Sequence, residues 1–552
     1  MRNGSFGNEL TIPDKKAYKI PCRHLTYRQL FVPLHFIETK SEPISFMLFT
    51  DIIFPFFMGC FFCIYWFALR NSLRWQNVWL LCASYLFYGW WDWRFLILII
   101  LTSASTFFSA ILFERSRRKW LITANIVFNL GILAVFKYFN FFSENITRLF
   151  SLVGINLDWF TIDVLLPVGI SFYTFQAISY SVDVLRGDIR PTRNVVGFFT
   201  FIAFFPQLVA GPIERAGSLL PQILNSRRWD YRRAVEGLRM VLFGVLKKVC
   251  VADMLAIYVD RIFDVDEPMT AVRVLTGGIL FTLQIYCDFS AYSEIARGVA
   301  RLLGVELMAN FRFPLFSRNI LEFWQKWHIS LMLWFRNYLY ICLGGNRRGK
   351  WRTALNFTIV FLLSGLWHGA AWNFILWGVF WAVCYVVGKF IIGLRRPAHP
   401  SSCADLPDMA LTFGVVAAGF YIFRCSDMAQ VWSGVCYGWV FIACFLLLWG
   451  ALRLLTPLIV RFPTLLPVAF SVAAIGAVAL RCATGHWPVF LKFWWLAAAI
   501  TVFIIEWIGR KEDYPFALVP RSRLPRLALY WTMAAMILLS EPTDMTFIYF
   551  QF

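Results

Sequence analysis

The sequence predicts an all-α, polytopic membrane protein, and three observations carry that prediction. Of its 552 residues, 59% are hydrophobic, 19% aromatic and only 15% charged, too little polar surface to coat soluble cores of that length. Apolar segments of about 20 residues, the helical length that crosses a hydrocarbon core, recur from Met47 to the C-terminus. The cationic residues fall in short clusters between those segments, as expected for loops kept on the cytoplasmic side. Together they predict about 11–14 membrane-associated helices, some of them short or broken.

The net charge is +20, and basic residues cluster in "RNSLR" (70–74), "ERSRRK" (114–119), "RGDIRPTR" (186–193), "RRWDYRR" (227–233), "NRRGKWR" (346–352) and "RLPR" (523–526). No contiguous basic domain exists, which excludes nucleic acid as a partner and leaves anionic membrane lipids as the partners of these loops. The 13 cysteines are scattered, mostly in apolar runs. "CFFC" at Cys60–Cys63 has a redox or metal spacing, but it lies inside a predicted span without a second pair, so the thiols read as small apolar filler and no metal site is expected.

Residues 1–46 are mixed polar sequence without the apolar core of a signal peptide, and read as an extension with Met47 as an alternative start. The first span, 47–69, ends at the first basic cluster; 75–113 makes two crossings; 120–140 exits again and leaves 141–160 outside; 165–185 returns to "RGDIRPTR". The stretch "FFTFIAFFPQLVAGPI" (198–213) is apolar but flanked by basic loops on both sides. Pro206, Gly211 and Pro212 forbid a straight helix there, so it reads as a re-entrant segment buried in protein. A core of 47–394 is followed by a linker, "RRPAHPSSCADLPD" (395–408), and a C-terminal transmembrane section, 409–552, of four or five spans. "GGNRRGK" (344–350) lacks the strand–loop–helix setting of a phosphate cradle.

Two of the six histidines stand in apolar company. The stretch 353–388 is almost unbrokenly apolar; as one helix it would run about 54 Å, nearly twice a roughly 30 Å hydrocarbon core. It must therefore break, and Ser364, Gly365 and Gly369 mark the place. Cationic residues flank both ends, so it reads as a hairpin whose turn carries His368 within the membrane profile, at the floor of a cavity. His328 lies in "LEFWQKWHISLMLWFRNYLYICL" (321–343), which reads as one amphipathic helix. At helical spacing Glu322, Lys326, Arg336 and Asn337 share one broad side, and His328 aligns with Leu321, Trp324, Met332 and Phe335 on the aromatic side. A lone buried histidine is most often a neutral ring hydrogen-bonded to backbone, whereas intramembrane ionisable groups are functional candidates that titrate near neutral pH. A pair without Cys or acidic ligands nearby points to proton transfer over metal binding. His24, His35, His399 and His486 lie in the extension, the linker or a loop and carry no such signal.

These residues resemble a known family. "FWQKWHISLMLWFRNYLYICLGGNRRGKWRTALNFTIVFLLSGLWHGAAWNFILWG" is similar to the membrane-bound O-acyltransferase superfamily, and within it to the bacterial alginate O-acetyltransferase type. So are "LPVGISFYTFQAISYSVDVLRG" (166–187), "FFPQLVAGPIER" (204–215), "CDFSAYSEIARGVARLLG" (287–304), "NFRFPLFSRNI" (310–320) and "FIYFQF" (547–552). The resemblance runs from about Met47 to Phe552 and implies a helical bundle with re-entrant segments and a central funnel or tunnel. It makes His368, in "WHG", the essential histidine at the funnel floor, and His328 its counterpart on the cytoplasmic side of the passage. Two departures stand out: Asn337 occupies a position that is usually Asp, and Ala291 and Glu294 replace the common Gly and Asp.

The implied activity is O-acyl transfer, with His368 as base and His328 orienting the thioester or assisting the thiol leaving group. The candidates for the acyl passage or donor site are Trp327, Trp367, Trp372, Ser364, Arg336, Asn337 and Asp288. The tryptophans, among 25, are as readily ordinary packing, and Asp288 and Arg336 read as a structural ion pair in preference to donor-phosphate contacts. The expected donor is acetyl-CoA or another acyl thioester, as substrate, with no bound cofactor. The expected acceptor is an exported polysaccharide, reached directly or through a periplasmic acetyltransferase, from the bacterial inner membrane. Two alternatives stay open: transfer of D-alanine or another acyl group from a carrier protein to a cell-wall polymer, and a transporter, which would require more buried acids and internal repeats than the chain contains.

Overall fold

The computed structural model describes residues 47, 49–51, 53–155, 166–264, 267–461, 487–540 and 547–548, with side chains from 495 onward in the 487–540 segment. The extension 1–46, His24, His35, His486 and the last four residues of "FIYFQF" lie outside the described residues. Among the described residues there are helices, turns and bends and no strand.

The helices are α1 (Ile53–Cys63), α2 (Leu73–Gly89), α3 (Phe95–Ser116), α4 (Trp120–Leu133), α5 (Phe139–Leu152), α6 (Ile170–Arg186) and α7 (Val195–Ala203). Then follow α8 (Phe205–Leu208), α9 (Ala216–Leu224), α10 (Tyr231–Lys247), α11 (Asp253–Ile262), α12 (Ala271–Leu302), α13 (Ile320–Lys326) and α14 (Ile329–Phe335). The remainder are α15 (Gly349–His368), α16 (Trp372–Val386), α17 (Leu406–Arg424), α18 (Met428–Tyr437), α19 (Trp439–Arg461), α20 (Trp487–Gly509) and α21 (Arg523–Leu538).

Six described helical runs are long and apolar enough to cross a membrane: Phe95–Ser116, Trp120–Leu152, Ala271–Leu302, Trp372–Ile391, Cys403–Arg424 and Trp439–Arg461. Ile53–Ala68, Val195–Leu208 and Trp495–Gly509 are apolar but shorter. Large apolar side chains such as Phe56, Phe67, Phe108, Leu447 and Leu454 are exposed on the outer faces, where only lipid tails suit them. The chain is an all-α, multi-pass membrane protein.

Several sequence expectations are met and some are corrected. Residues 75–113 do form two helices, α2 and α3. The run expected to end near 140 continues: a π-helical turn, Ala134–Tyr138, joins α4 to α5, and the helix reaches Leu152. Segment 198–213 breaks at Phe204, and its irregular part is buried in protein, as its prolines require. Helix α17 begins at Leu406, inside the expected linker, because Ser402 and Asp405 form a capping box around the 3-10 turn Cys403–Asp405.

The hairpin of α15 and α16 forms with its turn at 369–371. Ser364 and Gly365 lie inside α15 and do not mark the break. Gly365 instead permits close contact, since a Cβ there would stand 2.2 Å from the Phe374 carbonyl oxygen, and one on Gly378 2.6 Å from that of Phe361. Two apolar cores result. One gathers α1–α4 and α6–α9 with parts of α12, α14 and α15; the other gathers α10–α13 with α15–α21.

Candidate active site

His328 does not lie within a continuous helix. Trp327 is extended and His328 adopts φ 44°, ψ 54°, so α13 and α14 are separate helices with the histidine as the N-cap of the second. The interruption is imposed from outside the segment: Arg312 N–H donates to the Lys326 carbonyl (3.0 Å) and Ile329 N–H to the Asn310 carbonyl (2.9 Å). A left-handed histidine is costly, of order 1–3 kcal/mol, and persists only where its surroundings hold it. The alignment of His328 with Leu321, Trp324, Met332 and Phe335 on one helix side is thereby corrected. Its burial is as expected, at 1% exposure.

The Asn310 side chain fixes the ring. Its Oδ1 stands 3.0 Å from His328 Nδ1 and accepts from the Ser330 hydroxyl (2.9 Å) and the Ser330 N–H (3.3 Å), while its Nδ2 donates to Ser293 Oγ (3.3 Å). With the amide oxygen as acceptor, His328 Nδ1 carries the proton and Nε2 the lone pair. Phe289 meets the imidazole edge-on at 4.8 Å, and Phe172 stacks more distantly at 6.5 Å.

His368 is the last residue of α15 and is buried. Its ring meets Trp377 at 5.1 Å and Phe423 at 5.2 Å, both edge-on, from the second core. Trp367, from the first core, lies 4.9 Å from the His368 ring and 6.0 Å from that of His328. One indole therefore stands against both imidazoles, where the two cores meet. Phe175 stacks on that indole at 5.5 Å. A cavity of about 50 Å³ adjoins it, lined by Lys137, residues 166–172, Val209 and Trp367.

The other sequence candidates separate. Trp327 is buried among Phe311, Phe323 and Phe420, next to His328. Ser364 is buried one turn before His368 on α15, on the same face. Trp372 is 50% exposed and donates to Asn145 Oδ1 at 2.9 Å, so it lies outside the cluster. Arg336 is exposed, and the Asn337 carbonyl accepts from Arg186 at 3.1 Å.

Asp288 does not pair with Arg336. It is buried on α12, 2.9 Å from Lys248, and accepts from the Ile548 N–H at 2.7 Å. Glu294, farther along α12, reaches Lys247 at 3.3 Å, and Lys247 reaches Glu506 on α20 at 2.7 Å. Among the described residues, no group of three or more His, Cys, Asp or Glu side chains stands at metal-ligand geometry. Asn310 and Lys137 are the site neighbours that sequence reasoning missed. Asn310 carried no local signal, whereas Lys137 is a cation set in an apolar run.

Two imidazoles in a buried cluster lined by aromatic rings can pass protons and orient a polar bond. Comparison with known proteins gives this cluster a chemical context. The model of the membrane-bound O-acyltransferase family matches residues 190–410, which include both histidines. The chain is 38% identical over 391 residues to the probable alginate O-acetylase of Azotobacter vinelandii, covering 70% of this chain and 75% of that protein. It is 31% identical over 399 residues to the peptidoglycan O-acetyltransferase of Helicobacter pylori, covering 65% and 73%. It is 27% identical over 274 residues to the teichoic acid D-alanyltransferase of Bacillus subtilis, covering 46% and 68%.

Proposed function

The chain belongs to the membrane-bound O-acyltransferase family and is an O-acyltransferase, and from that premise we propose that it moves acetyl groups across the bacterial inner membrane to an exported, alginate-like polysaccharide. The observation that carries this reading is that the buried Trp367 ring stands against both the His368 and the His328 ring, so one indole links the two imidazoles. The higher identity and coverage of the alginate O-acetylase relative favour acetyl over D-alanyl transfer.

In this scheme acetyl-CoA approaches from the cytoplasm and its thioester enters the passage. His368 takes the proton of the acceptor hydroxyl, and the oxygen attacks the thioester carbonyl carbon. The tetrahedral intermediate collapses as the C–S bond breaks, and the proton that His368 took from the hydroxyl passes to the leaving thiolate, which leaves the imidazole neutral again. His328, held as the Nδ1–H tautomer by Asn310, has its lone pair at Nε2, with which it orients the thioester or relays that proton to the thiolate. The acetyl group is small enough for a tight apolar conduit, while the donor stays behind. The acceptor hydroxyl belongs to the glycan itself or to a periplasmic acetyltransferase that finishes the transfer. Trp327, Trp367 and Ser364 border the path.

Sidedness tests the scheme. Labelled acetyl-CoA supplied to inverted vesicles is expected to be consumed, whereas right-side-out vesicles leave it intact. Consumption from the periplasmic face alone would overturn cross-membrane transfer.

A further inference from the structure

An α-helix leaves its last four carbonyls without intrahelical partners. In α15 these belong to Gly365, Leu366, Trp367 and His368. Gly369 N–H reaches the first at 3.4 Å. The other three are all taken by two consecutive residues of another helix: Tyr138 Oη donates to the Leu366 carbonyl at 3.0 Å, and Lys137 Nζ to those of Trp367 (2.7 Å) and His368 (2.9 Å). The Lys137 ammonium also lies 6.0 Å from the centre of the Trp367 indole.

We infer that Lys137 is a positioning residue, which holds the end of α15 so that the His368 and Trp367 rings keep their mutual geometry; this rests on the reading of His368 as the base. Lys137 and Tyr138 close the π-helical turn Ala134–Tyr138, inside the apolar run Trp120–Leu152. Such a turn inserts one extra residue into a helix and recurs at functional sites. Here two consecutive side chains from it reach the end of one neighbouring helix. A helix end can be capped by glycine or a hydroxyl, and a lysine in an apolar span is an expensive substitute. The ammonium supplies what those caps lack: one group that ties two successive carbonyls and an indole together. Fraying of the last turn would swing the imidazole away from Trp377 and Phe423.

Lys137→Met, Lys137→Arg, Tyr138→Phe and His368→Ala are compared in inverted membrane vesicles fed labelled acetyl-CoA. The rate is expressed per inserted protein, and KM for acetyl-CoA is measured alongside. Lys137→Met is expected to lower kcat about 10²-fold, the scale of an ångström-sized misplacement, with KM within about twofold. Lys137→Arg, which keeps charge and donors, restores at least about tenfold of that loss. A merely structural cap lowers the amount of inserted protein and leaves kcat per molecule unchanged, and that result overturns the inference. Should Lys137→Met fail to insert, Tyr138→Phe decides: about a tenfold loss of kcat supports positioning, and a value within about twofold of wild type overturns it. If His368→Ala is inactive while the Lys137 variants behave as wild type, only this inference fails; if His368→Ala stays active, the base assignment itself fails.

Discussion

Asn310 Oδ1 stands 3.0 Å from His328 Nδ1, and the same oxygen accepts the Ser330 hydroxyl at 2.9 Å. One amide therefore fixes the tautomer of the histidine and caps the helix that the histidine begins. Asn310→Ala is expected to destabilise the protein by about 1–3 kcal/mol, the cost of stranding buried donors. It also lowers transfer activity per folded molecule, because the imidazole can then take either tautomer. Thermal unfolding in detergent and vesicle transfer assays check the two effects separately.

The α15–α16 contact depends on absent side chains. Gly365→Ala places a Cβ about where the Phe374 carbonyl already stands, so the helices must separate. An overpacking loss of about 1–3 kcal/mol is expected, with less correctly inserted protein. Gly59→Ala, in open space on α1, serves as the control and leaves insertion unchanged.

Lys247 is fully buried between Glu294 and Glu506. Lys247→Met leaves two buried carboxylates facing each other and is expected to cost about 3–5 kcal/mol. The triple variant Lys247→Met, Glu294→Gln, Glu506→Gln removes the charge mismatch and recovers most of that loss. Denaturation midpoints of the single and triple variants read out the difference.

A pH dependence follows from Glu322 on α13, whose partner Arg318 reaches the linker at His399. Arg318 lies 2.9 Å and Lys326 2.8 Å from its carboxylate, and Arg318 also donates to the His399 carbonyl. Burial raises the Glu322 carboxyl pKa, but the hydrogen bonds from Arg318 and Lys326 outweigh that and hold it down to about 2. A depressed pKa contributes stability that is complete above the usual glutamate value, about 4.3, and is lost as pH falls towards 2. The gap in melting temperature between wild type and Glu322→Gln is therefore expected to be constant from pH 7 to about 5 and to shrink below about 4.

The hairpin carrying His368 was legible because it follows from arithmetic: a run too long for one crossing, flanked by cations at both ends, must turn back. The break at His328 was not legible. Nothing in "KWHIS" disfavours a helix, and the interruption comes from Asn310 and Arg312, which capture its backbone from a distant segment. Asp288 fails to meet Arg336 for a related reason, since its buried partner, Lys248, lies on a different helical run. Lys137 was visible as a cation near residue 140, where the span was expected to end. The π-helical turn carries the helix on to Leu152 and leaves that charge half-buried against the end of α15.

In the proposed reaction His368 removes the proton of the acceptor hydroxyl, so His368→Ala strikes at the chemical step itself. The variant is inserted in native membranes, its amount equalised by immunoblot, and acetyl transfer from labelled acetyl-CoA to polysaccharide is followed in inverted vesicles. The expected result is a rate at least about 10²-fold below wild type, the lower end of what a general base contributes, with insertion and melting temperature little changed. Transfer at the wild-type rate by the folded variant would rule His368 out as the base.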